Sequence, residues 1–312
     1  MKIYKYPSVD QWPDIVVRPH IDTTKLNDVV KSVLDDIRAN GDEAVKRYEQ
    51  KFDGVALQSL AVTQQEIDEA CASVDPELMS AIELAHDNIF KFHASQKFEG
   101  VKVETAPGVD CWQKCVAIEK VGLYIPGGTA PLFSTVLMLA TPAKISGCKQ
   151  IVLCTPPDKQ RKVNAAILAA AKVAGVNAIY KIGGVQAIAA MAYGTASVPK
   201  VYKIFGPGNQ YVMAAKQHVS LHDVAIDMPA GPSEVCVIAD ANSNPVYVAA
   251  DLLSQAEHGV DSQVVLISTS ADMVEMVRVE LDRQLTLLPR RDIAAKTLDN
   301  SKIVLVHDTD EA

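Results

Sequence analysis

From about Val121 onward the chain repeats one unit: a short run of β-branched and other apolar residues, a turn, then an Ala-rich or apolar helix. Parallel strands need crossovers, and helices of this kind supply them, so the rhythm restricts the chain to an α/β architecture. The strand candidates are Val121 to Ile125, Ile151 to Thr155, Ala178 to Ile182 and Val201 to Phe205. Helices are expected around Ser134 to Ile145, Val163 to Ala174, Ala187 to Tyr193 and Gln210 to Val219. Strands this continuously apolar are covered on both faces. After Asp223 to Asp227 the rhythm resumes with Glu234 to Ala239, a helix from Pro245 to about Glu257, and Gln263 to Ser268. A helix from Ala271 to about Leu287 and a run from Lys302 to Val306 follow, predicting a second parallel sheet. The Gly and Pro content of Met228 to Ser233 marks a connection between the two blocks.

The first third reads as a layer of helices. Thr24 to Ala39 repeats Leu26, Val29, Val30, Val33, Leu34 and Ile37 at helical spacing and stops at Asn40-Gly41. Glu43 to Phe52 and Gln65 to Ala72 are similar, and Pro76 to Phe92 carries Leu78, Ile82, Leu84, Ala85, Ile89 and Phe90 mostly on one side. The expected fold class is α/β, with two Rossmann-like parallel-sheet domains and an N-terminal helical segment.

Composition narrows the function classes. Thirty basic against 38 acidic residues give a formal charge of −8, which argues against a nucleic-acid scaffold. With 312 residues, 48% hydrophobic and 22% charged, the chain is an ordinary globular sequence past the size of one core, so two domains are expected. Met1 to Asp14 lacks the apolar run of a signal peptide, and Leu132 to Ala140 is too short to cross a membrane. Six scattered cysteines show no disulfide spacing and read as reduced thiols, so a cytoplasmic location is expected. Cys111 and Cys115 have no second ligand pair nearby and read as packing residues.

Three glycine turns follow strand candidates: Pro126-Gly127-Gly128, Gly183-Gly184 and Gly206-Pro207-Gly208-Asn209. Open α/β sheets bind ligands at such positions, where glycine lets backbone N–H groups approach a phosphate. None reads Gly-x-Gly-x-x-Gly with a following ribose-binding acid, so each alone is an ordinary tight turn; three together favour a nucleotide-like ligand. Tyr124 and Gln186 are placed to stack on a base or bond a ribose, against the plainer roles of a packed Tyr and a helix N-terminal Gln. In Ser254-Gln255-Ala256-Glu257-His258-Gly259, the spacing of Gln255 and His258 brings an amide oxygen and an imidazole to one helix face. The plainer account is a surface pair at a helix C-terminus. A cysteine-nucleophile aldehyde dehydrogenase is a further reading, resting on Cys148 and Cys154; their apolar surroundings favour buried thiols.

Four ordered stretches closely resemble bacterial histidinol dehydrogenases. They are Val121-Gly122-Leu123-Tyr124-Ile125-Pro126-Gly127-Gly128-Thr129-Ala130-Pro131, Ile204-Phe205-Gly206-Pro207-Gly208-Asn209, Asp227-Met228-Pro229-Ala230-Gly231-Pro232-Ser233-Glu234 and Asp251 to Gly259. The resemblance runs from the first helices to the final strand. It implies a zinc enzyme of histidine biosynthesis that oxidises L-histidinol to L-histidine through the aldehyde with two NAD+, as a homodimer with sites shared between chains. Tyr124, Gln186 and Asn209 match the family's NAD contacts, Gln255 and His258 two zinc ligands that also face substrate, and Ser233 a substrate contact. No nucleic acid or membrane partner is implied. The expected organisation is an N-terminal arm over 1–23, a discontinuous first α/β domain of 24–123 with 232–312, and an inserted NAD-binding Rossmann-like domain over 124–231.

The sequence departs from the family pattern at its end. The family's Glu-His proton-transfer pair and its remaining zinc ligands, an Asp and a His, are expected beyond Ala312, so none of the catalytic residues is present. His307 precedes Asp308 instead of following a Glu and is no substitute. On this reading the 312 residues alone are expected to be inactive. The alternative is a truncated, non-catalytic nucleotide-binding or assembly module of the same fold.

Overall fold

The computed structural model describes residues 1–17, 24–127, 131–229, 234–260 and 262–312. Its elements begin with strand β1 (Lys2–Lys5), α1 (Trp12–Ile15), α2 (Thr24–Tyr48), α3 (Gln64–Ser73) and α4 (Pro76–Ala94). A hairpin of β2 (Lys102–Ala106) and β3 (Val109–Trp112) follows. Next come β4 (Lys120–Tyr124), α5 (Phe133–Ile145), β5 (Gln150–Thr155), α6 (Ala165–Val173), β6 (Ala178–Lys181) and α7 (Gly184–Tyr193). The first sheet closes with β7 (Lys203–Phe205), α8 (Gln210–Ser220) and β8 (Ala225–Ile226). The last block is β9 (Glu234–Ala239), α9 (Pro245–Ala256), β10 (Gln263–Ser268), α10 (Ala271–Leu285), α11 (Arg291–Asp299) and β11 (Lys302–Leu305). Among the described residues no helix is long and apolar enough to cross a membrane.

The chain divides into two compact units, Thr23–Pro229 and Met1–Asp22 with Ala230–Ala312. In the first, five parallel strands run in the order β6-β5-β4-β7-β8. Side chains alternate across this sheet. Val121, Leu123, Ile151 and Leu153 face a core shared with α3 to α6, whereas Tyr124, Val152 and Cys154 face one shared with α2, α7 and α8. Gly122 is required by the second packing, since a Cβ there would lie 2.7 Å from Met191 Sδ. The free edge of β6 is paired by the chain at 60–62, where Val62 N–H donates to Ile179 and Lys181 N–H to Leu60.

The helical layer belongs to this unit, which corrects the division expected from sequence. The α2 stripe of Leu26, Val30, Val33, Leu34 and Ile37 packs on the Ala-rich α7, and α3 with α4 cover α5 and α6. Asn40-Gly41 does interrupt α2, for Gly41 takes φ 53°, ψ −133°. The first residues are also not an arm. β1 is a strand of the second sheet, paired in parallel with β11, and Ile15 of α1 packs on Val304 and Val306. That second sheet is wholly parallel, in the order β1-β11-β10-β9, with Val264, Leu266, Ile303 and Leu305 against α9 to α11.

Candidate cofactor-binding site

In the five-stranded sheet the first strand, β4, is central. The chain winds outward to β5 and β6 on one side and returns to β7 and β8 on the other. Loops from neighbouring strands part at such a reversal, leaving a crevice at their carboxyl ends. A cleft of about 1040 Å³ lies there, bordered by Tyr124, Gly127, Pro156, Gly184, Gln186 and Asn209 among others. That volume is at the upper end for a small-molecule site. Tyr124, Gln186 and Asn209, which belong to three separate stretches of sequence, therefore border one cavity.

Close backbone approach shapes its walls. A Cβ on Gly127 would lie 2.3 Å from Pro156 Cγ, and one on Gly206 only 2.1 Å from the Tyr124 carbonyl oxygen. Gly206 also takes φ +132°, which side-chain-bearing residues rarely adopt. Its peptide is held from both sides: the N–H donates to Asp227 Oδ2 at 2.9 Å, and the C=O accepts from Lys216 Nζ at 2.8 Å. Lys216, 1% exposed, is paired with Asp227. The loop so fixed ends at Asn209, whose Oδ1 accepts from the N–H groups of Tyr211 and Val212 at 3.0 and 3.1 Å, capping α8.

Gln186 is backed by an acidic pair absent from the expected site, of which Asp53 borders the cleft and Glu49 does not. Glu49 and Asp53 lie on a turn of π-helix that extends α2 and ends at Gly54, φ 68°. Glu49 is fully buried. Its Oε1 accepts from Gly183 N–H at 2.9 Å and Gln186 Nε2 at 2.8 Å, and Gln186 Nε2 also donates to Asp53 Oδ2 at 3.0 Å. Burial, with the Asp53 charge adding to it, pushes the Glu49 carboxyl up to about 7; burial raises Asp53 as well. Tyr124 Oη accepts from Gly184 N–H at 3.1 Å, and burial pushes its phenol up. Glu49 Oε2 and Gln186 Oε1 are buried with no hydrogen-bond partner. No sequence motif flags Glu49, Asp53 or Lys216, and Asp227, though it opens one of the four family-like stretches, carries no role in the sequence reading; Glu49 and Asp53 sit in a charged helical stretch.

The metal pair expected from sequence lies in the other unit. Gln255 is in the last turn of α9, but the helix ends at Ala256, so His258 stands in the turn beyond and not on a shared helical face. The His258 N–H bonds the Gln255 carbonyl at 3.2 Å. His258 is exposed, whereas Gln255 Nε2 is buried without a partner. Among the described residues no three His, Cys, Asp or Glu side chains gather as a metal site. Ser233 lies outside the described residues. Cys148 and Cys154 are buried, and burial raises both thiols, so neither is the ready thiolate an aldehyde dehydrogenase mechanism needs.

Comparison with known proteins gives the same family over nearly the whole chain. The histidinol dehydrogenase family profile matches residues 16–312. Histidinol dehydrogenase of Bacteroides thetaiotaomicron is 66% identical over all 312 residues, which span 73% of that protein. The Escherichia coli K12 enzyme is 50% identical over 304 residues, 96% of this chain and 69% of its own length. The crystal structure of histidinol dehydrogenase from Elizabethkingia anophelis superposes with a TM-score of 0.96 at 49% identity, covering 100% of this chain and 72% of that one. The chain therefore belongs to the histidinol dehydrogenase family.

Proposed function

We propose that this chain serves the NAD-dependent oxidation of L-histidinol to L-histidine by way of histidinal, with zinc as the metal. The observation that supports it most is the convergence of Tyr124, Gln186 and Asn209 on one cleft at the reversal of strand order. Two further features suit a dinucleotide. Gln186 Oε1 is a buried acceptor without a partner, and Gly127, Gly206 and Gly208 let the loops that border the cleft pack closely on Pro156, Tyr124 and Val212.

In this reading Asn209 and the α8 N-terminus face the pyrophosphate, where the helix dipole favours negative charge. Tyr124 steadies the Gly183-Gly184 turn through the Gly184 N–H, and Gln186 offers its oxygen. Bound NAD+ would supply a hydride acceptor for each of the two oxidations, each of which also releases a proton, and water would supply the second carboxylate oxygen. Gln255 and His258 are proposed as two zinc ligands that also meet the substrate, and Ser233 as a substrate contact. Zinc takes four ligands at a closed structural site, or three and a solvent position in catalysis, so this pair is part of a ligand set. The metal supplies a Lewis acid that orients the substrate. The resemblance further supports a homodimer with sites shared between chains and a cytoplasmic setting.

The test separates the two groups of residues. Asn209→Ala is expected to raise the NAD+ dissociation constant about tenfold, the worth of a hydrogen bond or two, while leaving zinc content unchanged. His258→Ala is expected to lower zinc content by elemental analysis with NAD+ affinity intact, and Gln255→Ala to do so more mildly. Zinc loss in Asn209→Ala with unaltered NAD+ affinity would sink the assignment.

A further inference from the structure

Gln186 is held from beneath by more than a packing role needs. Both hydrogens of its Nε2 are engaged, one by Glu49 Oε1 at 2.8 Å and one by Asp53 Oδ2 at 3.0 Å. An amide oxygen in that place would face two carboxylates, so the orientation of the group is settled by its neighbours. Oε1 is consequently turned away from the acids. It lies beside Gly184, a residue of the cleft wall, 3.0 Å from where a Cβ on that glycine would stand, and it has no partner of its own.

We infer that Glu49 and Asp53 are positioning residues that pin the Gln186 amide with its oxygen on the cleft side, so that the cofactor group recognised there is a hydrogen-bond donor, such as a ribose hydroxyl or an exocyclic amine. The inference rests on the reading of the cleft as a dinucleotide site. The groups facing Glu49 are Asp53 on its own turn, Tyr124 from β4, Cys154 from β5, and the Gly183 N–H with the Gln186 amide. Lys159 reaches this cluster at the Asp53 carbonyl. An amide donor bonds a carboxylate more strongly than a neutral carboxyl, so the pin is tightest when both acids are ionised. It loosens as Glu49 takes up a proton.

The experiment is NAD+ titration calorimetry on the whole chain, with thermal melts to follow folding. Gln186→Glu sets a third carboxylate against two others and is expected to weaken NAD+ binding by at least about tenfold. Adding Glu49→Gln supplies a donor from the opposite side and keeps an acceptor at the Gly184 wall. The double variant is therefore expected to return to within about threefold of the parent, the usual limit for restored pairwise coupling. A double variant that folds yet binds as weakly as Gln186→Glu would overturn the inference, because the recognition atom would then be the nitrogen. Parent affinity is also expected to fall between pH 8 and pH 6, and Glu49→Gln to abolish that dependence; an unchanged pH profile in Glu49→Gln would count against the pin. Should the variants fail to fold, the parent's Gln186 side-chain amide resonances decide. They are expected to exchange slowly and to titrate with Glu49, and rapid exchange at every pH would overturn the pin. Absence of NAD+ binding by the parent would strike the cofactor reading, leaving the resonances to judge the amide.

Discussion

Glu49 is an acid whose burial has a thermodynamic consequence separable from ligand binding. Its carboxyl rises from 4.5 to about 7 in the folded chain. Between those values the native state holds a proton that the unfolded chain has released, so unfolding releases it and stability falls as pH rises. The contribution is fully present below about pH 4.5 and is lost by the time pH passes about 7. A shift of this size corresponds to about 3 kcal/mol. Glu49→Gln keeps an acceptor for Gly183 and removes the ionisation, so in urea unfolding it should gain on the parent from about pH 5 to about pH 7 and level off by pH 8. Parallel stability curves for the two proteins across that range would show that Glu49 keeps an ordinary acidity. Nothing in the sequence marks this residue, because the partners that bury it, Gly183 and Gln186, lie more than 130 residues away.

At the scale of elements, the same residue can serve a helix and a ligand, and α8 allows the two to be told apart. Asn209→Ala removes the cap and should cost about 1 kcal/mol of stability. Asn209→Asp keeps an oxygen toward the Tyr211 and Val212 N–H groups and adds a charge the helix dipole favours, so the melting temperature should hold. That same charge would repel a pyrophosphate, and NAD+ affinity should drop in calorimetry. Unchanged affinity in Asn209→Asp would leave the residue as a cap alone. Strands with an apolar run are legible in the amino-acid sequence: β10, largely buried, and the edge strand β9 match the expected ranges residue for residue. Strands without that pattern are not. β1 is four residues with a Lys at each end, β2 and β3 are exposed throughout, and β8 has two residues. Their pairing comes from neighbours elsewhere in the fold, which local periodicity does not record.

For the molecule as a whole, the order in which the chain builds its two units makes one of them separable. The second unit is discontinuous: β1 comes from the first residues and β9 to β11 from the last. The first unit is a single stretch, and among the described residues its two cores draw on residues between Leu26 and Ile226. Sequence rhythm locates the two strand-rich blocks but does not say which of them the helical layer joins. An amphipathic helix such as α2 announces that it needs a partner without naming it, and the partners are α7 and α8. Among the described residues the cleft is likewise bordered by residues from Val29 to Tyr211. A polypeptide of residues 24–229 should accordingly fold by itself with one cooperative melt, as expected of a unit with its own hydrophobic core. It should also bind NAD+ within about threefold of the whole chain, a difference of under about 1 kcal/mol. Its zinc content should be nil, since Gln255 and His258 are left behind. A cooperatively folded 24–229 polypeptide without NAD+ affinity, beside a whole chain that binds, would mean that the cofactor site draws on groups outside this cleft.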